Sequence, residues 1–169
     1  MKLLFPESEI NYWAQRYKCP QEESKLLKIS QDTQNAGFLT KNQLGLITRW
    51  KAPRSAGHVE KNNEKYVQEI TSWCFAAQQE RSRIEVLTLL DGVGWPSASV
   101  VLHLFHKDPY PILDFRALWS VGLKVPNQYS FSFWWGYVKF CREVAHRNSV
   151  DMRTLDRALW QYSKENQKA

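Results

Sequence analysis

Apolar residues recur along this chain at intervals of three and four, with no sustained alternation of apolar and polar positions. That period predicts helices and no sheet. Pro6 stands where a first helix opens, and Ile10, Trp13, Ala14 and Tyr17 then share one face. The polar run 21–37 shows no clear face and is the least defined stretch. Thr40 with Gln43 reads as a capping box for a helix bearing Leu44, Ile47 and Trp50, which stops before Pro53. Residues 51–63 read as a donor-rich loop. A longer helix is expected over 64–77, with Val67, Ile70 and Cys74 inward. Ser82 and Glu85 have capping-box spacing ahead of Leu87 and Leu90, and that helix ends at the glycines Gly92 and Gly94. The next helix has Pro96 in its first turn and carries Val100, Val101, Leu104 and Phe105. A short extended stretch over 108–113 leads to Asp114, placed as the N-cap of a helix through Val121. Two more helices close the chain, one over 133–146 and one following Asp151.

Length and composition narrow the class. A chain of 169 residues buries a core without disulfides and suits one compact unit or two packed lobes. No apolar run approaches the roughly 18 residues of a membrane span, and MKLLFPESE turns acidic too early for a signal peptide. Cys19, Cys74 and Cys141 are odd in number and far apart, as free thiols of a reducing cytoplasm would be. No CxxC pair is present, so no zinc or iron–sulfur site is written here. The net charge of +6 favours a polyanionic partner, usually nucleic acid, and no membrane.

The most informative segment is Leu90-Asp91-Gly92-Val93-Gly94-Trp95-Pro96-Ser97-Ala98. Two glycines flanking one apolar residue permit a tight turn between helices and a close backbone approach. The amides of the second helix's first turn then form an anion site suited to a DNA phosphate. A plain helix–helix turn containing two glycines would look the same.

Together with the sequence that follows it, this segment resembles the helix-hairpin-helix DNA glycosylases, such as endonuclease III and adenine glycosylase. The resemblance rests on Leu-x-Gly-Val-Gly at 90–94 followed by a small-residue helix, and on Pro-Ile-Leu-Asp at 111–114, with Asp114 twenty residues after Gly94. It is clear over about 80–122 and fainter back to about 38 through Trp50, Lys51 and Asn62. It implies an all-α, two-lobed helical fold with a cleft between the lobes. About 38–113 would form the hairpin-bearing lobe, and about 1–37 plus 114–169 the other. It further implies double-stranded DNA as partner, Asp114 as the catalytic carboxylate, and a hairpin whose Leu90 and Val93 carbonyls hold a monovalent cation, K+ or Na+. No other cofactor is required, and a monomer is expected. The chain departs from the family in three places. The lysine that bifunctional members carry two residues past the second hairpin glycine is Pro96 here, the iron–sulfur run is missing, and no helix is recognisable as the source of a wedge.

Base excision gives each candidate a role. A carboxylate opposite the sugar stabilises the positive charge that develops as the N-glycosidic bond breaks, and can activate water. Asp114 as a mere N-cap is the competing reading. Gly92, Val93, Gly94, Trp95 and Ser97 would meet the DNA backbone, with Lys51 and Arg54 on a basic loop that is otherwise a solvated charge run. Trp95 either faces DNA or packs. Trp50, Trp134 and Trp135 are candidates to line a base pocket, although neighbours such as Trp134 and Trp135 face different ways, which puts at least one in the core. His103 and His106 share a helix face without a third ligand and read as structural. The expectation is a monofunctional DNA glycosylase. The alternatives are a non-catalytic helix-hairpin-helix DNA-binding module and a helical interaction protein with no nucleic-acid role.

Overall fold

The computed structural model describes residues 1–168, those at 31, 32, 34 and 35 by backbone alone. Helices are the regular structure of the described residues, among which there is no strand. Nine α-helices follow in order: α1 Ile10–Arg16, α2 Gln21–Ala36, α3 Lys41–Lys51, α4 Glu64–Ala76, α5 Glu80–Leu87, α6 Trp95–Phe105, α7 Phe115–Ser120, α8 Phe131–Arg147 and α9 Met152–Asn166. None of them is long and apolar enough to cross a membrane.

The chain divides into two compact units, Met1–Lys18 with Pro109–Ala169, and Cys19–Asp108. The sequence pattern drew the boundary differently, giving 19–37 to the terminal unit and 109–113 to the hairpin-bearing one. The polar run 21–37 is in fact α2, which packs on α3 and α6 inside the second unit. Among its described side chains it buries Glu23, Leu26 and Thr33, two of them polar, which blurs the apolar period. Gly37 ends it in a left-handed conformation, φ 74°.

In the second unit α6 is the central helix. From Ser97 to Phe105 only His103 is more than marginally exposed. Against it lie α2, α3 and α5, while α4 packs on α5. Leu26, Leu44, Ile47, Val67, Ile70, Ile84 and Leu87 fill the space between, each at most 1% exposed. Thr40 and Gln43 form the expected capping box of α3. The Ser82–Glu85 pattern does not cap α5, which begins two residues earlier at Glu80. Glu85 instead takes Arg81 across one turn, at 2.9 Å. Arg83 points inward, where its Nη1 meets Asp108 at 2.9 Å and its Nε donates to the Ala77 carbonyl at 2.8 Å. The expected loop 51–63 contains a 3-10 helix, Ala56–Lys61.

The first unit is built on aromatic packing. α9 lies against α1 and α7, and Phe5, Trp13 and Tyr162 meet with ring centroids 4.7 to 6.4 Å apart. The amino-terminal strip is tied down by Lys2 and Leu4, whose amides donate to the carbonyls of Val121 and Ser120. Glu7 pairs with Arg147 and accepts from Asn148 at 2.6 Å. The Arg147 hydrogen bonds, with Asn148, lower its carboxyl to about 2.

Cys19 is exposed, whereas Cys74 and Cys141 are buried, and all three are free thiols. Burial pushes the Cys74 thiol up to about 12, and the Cys141 thiol also upward. We expect one thiol per chain to react rapidly with Ellman's reagent in native protein and three after denaturation. More than one fast-reacting thiol in the native protein would contradict this packing.

Candidate functional site

The hairpin is a turn that the rest of the second unit forces into shape. The Val93 amide donates to the Leu90 carbonyl at 3.1 Å, and Gly92 takes φ 80°. A Cβ on Gly92 would lie 2.8 Å from the Ser55 carbonyl oxygen and 2.9 Å from the Val59 nitrogen. Only glycine fits on both grounds. Asn62, 5% exposed, holds the preceding peptide from both sides. Its Oδ1 accepts from the Asp91 amide at 3.0 Å, and its Nδ2 donates to the carbonyls of Asp91 and Val59, also at 3.0 Å. The segment after α3 is therefore the floor of the hairpin; Arg54, exposed, precedes Ser55 in that floor, and Lys51, half-buried, ends α3.

Gly94 differs from Gly92. It is the exposed N-cap of α6 in extended backbone, and a Cβ there would meet only Pro96 Cδ at 3.8 Å. Nothing inside the fold demands glycine at this position, and its open side faces solvent. Amides in a helix's first turn find no carbonyl within their own helix, and the positive end of the helix dipole adds to their pull on an anion. Trp95 is half-buried. Val93 and Ser97 are 5% and 1% exposed, which takes their side chains out of reach of a surface ligand. For Val93 and Ser97 only the main chain is left to meet the DNA backbone, as the sequence pattern expects of them.

Asp114 belongs to the first unit. It is the N-cap of α7, half-buried, and its Oδ1 accepts from the Arg116 amide at 2.9 Å. The capping role expected of it is real. Tyr129 lies near enough for the Asp114 charge to add to desolvation in raising its phenol. Nothing in the sequence spacing flagged Tyr129.

The aromatic candidates separate. Trp134 is fully buried and stacks on Tyr110, centroids 5.7 Å apart and planes at 15°, so it is core and lines no open pocket. Trp135 is half-buried, stacked on Phe131 with the Arg142 guanidinium 5.4 Å from its centroid. Trp50 lines a cavity of about 210 Å³ in the second unit, with Glu22, Lys25, Leu26, Leu46 and Arg49.

Set against protein-family models, curated proteins and solved structures, the chain matches none of them. Function therefore has to be argued from the site itself. The geometry offers a hairpin whose turn only glycine fits, followed by the exposed start of α6, and a half-buried carboxylate at the start of α7. The side-chain amide clamp by Asn62 and the wall made by Ser55 and Val59 had no local signal, because the partners lie about thirty residues apart in the chain.

Proposed function

We propose that this chain is a DNA-binding protein of the helix-hairpin-helix type that removes a damaged or modified base from double-stranded DNA, acting as a monofunctional glycosylase with Asp114 as its carboxylate. The observation that carries the reading is the hairpin. Gly92 is locked by its surroundings, whereas Gly94 is spared a side chain only on its open side. A backbone left bare toward solvent, as at Gly94, permits the close approach of a phosphate. Asp114 supports the catalytic half. It stands at a helix start with Oδ1 occupied by the Arg116 amide, which fixes the carboxylate's orientation relative to the chain. A fixed carboxylate stabilises an oxocarbenium-like sugar without reorganisation.

The carbonyls of Leu90 and Val93 are the ligands that the family resemblance suggests for a monovalent cation, the Leu90 carbonyl also accepting from the Val93 amide at 3.1 Å. Such an ion would supply positive charge beside the phosphate. Gly94, Trp95 and the α6 amides orient the backbone in either case.

The second reading, a non-catalytic DNA-binding module, is favoured by one observation: capping α7 already accounts for Asp114. An activity screen over duplexes bearing different damaged or modified bases separates the two. With an active substrate in hand, we expect abasic product that breaks only on heating in alkali, and no protein–DNA adduct on borohydride reduction. Lyase chemistry needs an amine nucleophile, and Pro96 stands where bifunctional members of the resembled family place their lysine. A trapped adduct would overturn the monofunctional assignment. No base release on any duplex would leave the binding-module reading in its place.

A further inference from the structure

The positive surplus of the chain is not spread evenly. The first unit carries 12 Lys and Arg against 7 Asp and Glu, whereas the hairpin-bearing unit carries 11 against 10. Part of that surplus gathers on one face. On α9, residues 153, 157, 160 and 164 follow at i, i+4, i+7 and i+11, a single stripe on the side away from buried Leu155 and Leu159. The stripe reads Arg153, Arg157, Trp160, Lys164.

Aromatic rings from neighbouring helices organise these cations. The Arg116 guanidinium lies 5.6 Å from the Trp160 ring centroid and 5.0 Å from that of Phe115. Lys164 Nζ lies 5.1 Å from the same Trp160 ring, and the Arg157 guanidinium 5.7 Å from Tyr17, whose ring meets Trp160 edge-on at 5.2 Å. One indole thus draws two like charges together, with the Glu165 carboxylate, itself paired with Arg16, acting on Lys164 from the side. Stacking on a ring uses the face of a guanidinium and leaves its N–H edges for hydrogen bonding, although Arg157 is half-buried with its Nε out of solvent. Phe115 is 53% exposed, a large apolar ring beside these cations. From Arg157 to Lys164 the helix advances roughly 10 Å.

We propose that Phe115, Arg116, Arg157, Trp160 and Lys164 form a binding site for single-stranded DNA, in which the cations meet successive phosphates and Phe115 stacks on an unpaired base. An alternation of cations with an exposed ring fits a strand whose bases are free to stack; a duplex would use the cations alone. That the strand is DNA rests on the function proposed above. The face itself needs neither the hairpin nor the chemistry of Asp114.

The test is fluorescence anisotropy with the full chain and labelled oligothymidylate, an oligouridylate of equal length and a duplex, across a salt series. The combined variant R116Q/R157Q/K164Q is expected to weaken oligothymidylate binding by at least about tenfold and to flatten the salt slope by about 2, from three lost phosphate contacts. F115A is expected to weaken the single strand by about fivefold or more while leaving the duplex unaffected. K164E, a single exposed change, gives a folding-safe second measure and should weaken the strand in the same direction. Gly94→Val should leave oligothymidylate binding unchanged, so failure of the hairpin reading and failure of this one are distinguishable. The proposal is overturned if oligothymidylate does not bind, if the combined variant and K164E bind it as the wild type does, if F115A weakens duplex and single strand alike, or if oligouridylate binds more tightly.

Discussion

Asp114→Asn is expected to slow base release on the order of a thousandfold while leaving melting temperature and DNA affinity unchanged. The contrast rests on what each oxygen does. Oδ1 accepts the Arg116 amide and caps α7. An asparagine oxygen makes the same bond, so the cap survives. On the proposed function, what disappears is the negative charge that would stand opposite a sugar becoming positive in the transition state. Asp114→Ala removes both, and should add a loss of about 1 kcal/mol in stability to the loss of rate. Single-turnover base release and thermal melting on the three proteins read these effects separately. An Asn variant as fast as wild type, with an Ala variant that only melts earlier, would reduce Asp114 to a cap.

Gly92→Val is expected to destabilise the second unit by roughly 3 kcal/mol or more. A side chain at φ 80° costs about 1–2 kcal/mol in backbone strain alone. Its Cβ would then press on the Ser55 carbonyl oxygen and the Val59 nitrogen, backbone atoms that cannot swing aside. A β-branched residue adds bulk where even alanine does not fit. Gly94→Val carries no such penalty, since only Pro96 Cδ lies within contact of its Cβ. The two glycines of one motif thus separate by experiment: Gly92 changes should appear in denaturant unfolding, and Gly94 changes in duplex affinity with the fold intact. Equal stability of the Gly92 variant would mean that the turn is not held as described.

How much of this was legible beforehand depended on distance along the chain. The caps made by Thr40 and Asp114 were readable because donor and acceptor lie within three residues. The hairpin was readable for the same reason. α2 was not, because buried Glu23 and Thr33 hide its inward face behind polar letters. The start of α5 was misplaced because Ser82 and Glu85 have the right spacing for a cap, while the placement of Arg83 inside, against Asp108, depends on a residue 25 positions later. Trp134 and Trp135 had equal claims to a pocket until Tyr110 settled one of them into the core. The stripe on α9 was written at helical spacing all along, but a search for the apolar face passes over the opposite one.

The clamp on the hairpin also has a kinetic side. Asp91 donates to and accepts from a side chain 29 residues earlier, so its amide is held by a long-range contact within the second unit. Closing that loop costs chain entropy before any bond is gained. The turn between α5 and α6 is therefore no autonomous nucleus, and it reaches its native form only when the 3-10 segment docks. In hydrogen-exchange terms, the Asp91 amide opens with that docked segment as one cooperative step. Its protection should track the stability of the hairpin's floor, although the amide itself lies in an exposed residue at the surface.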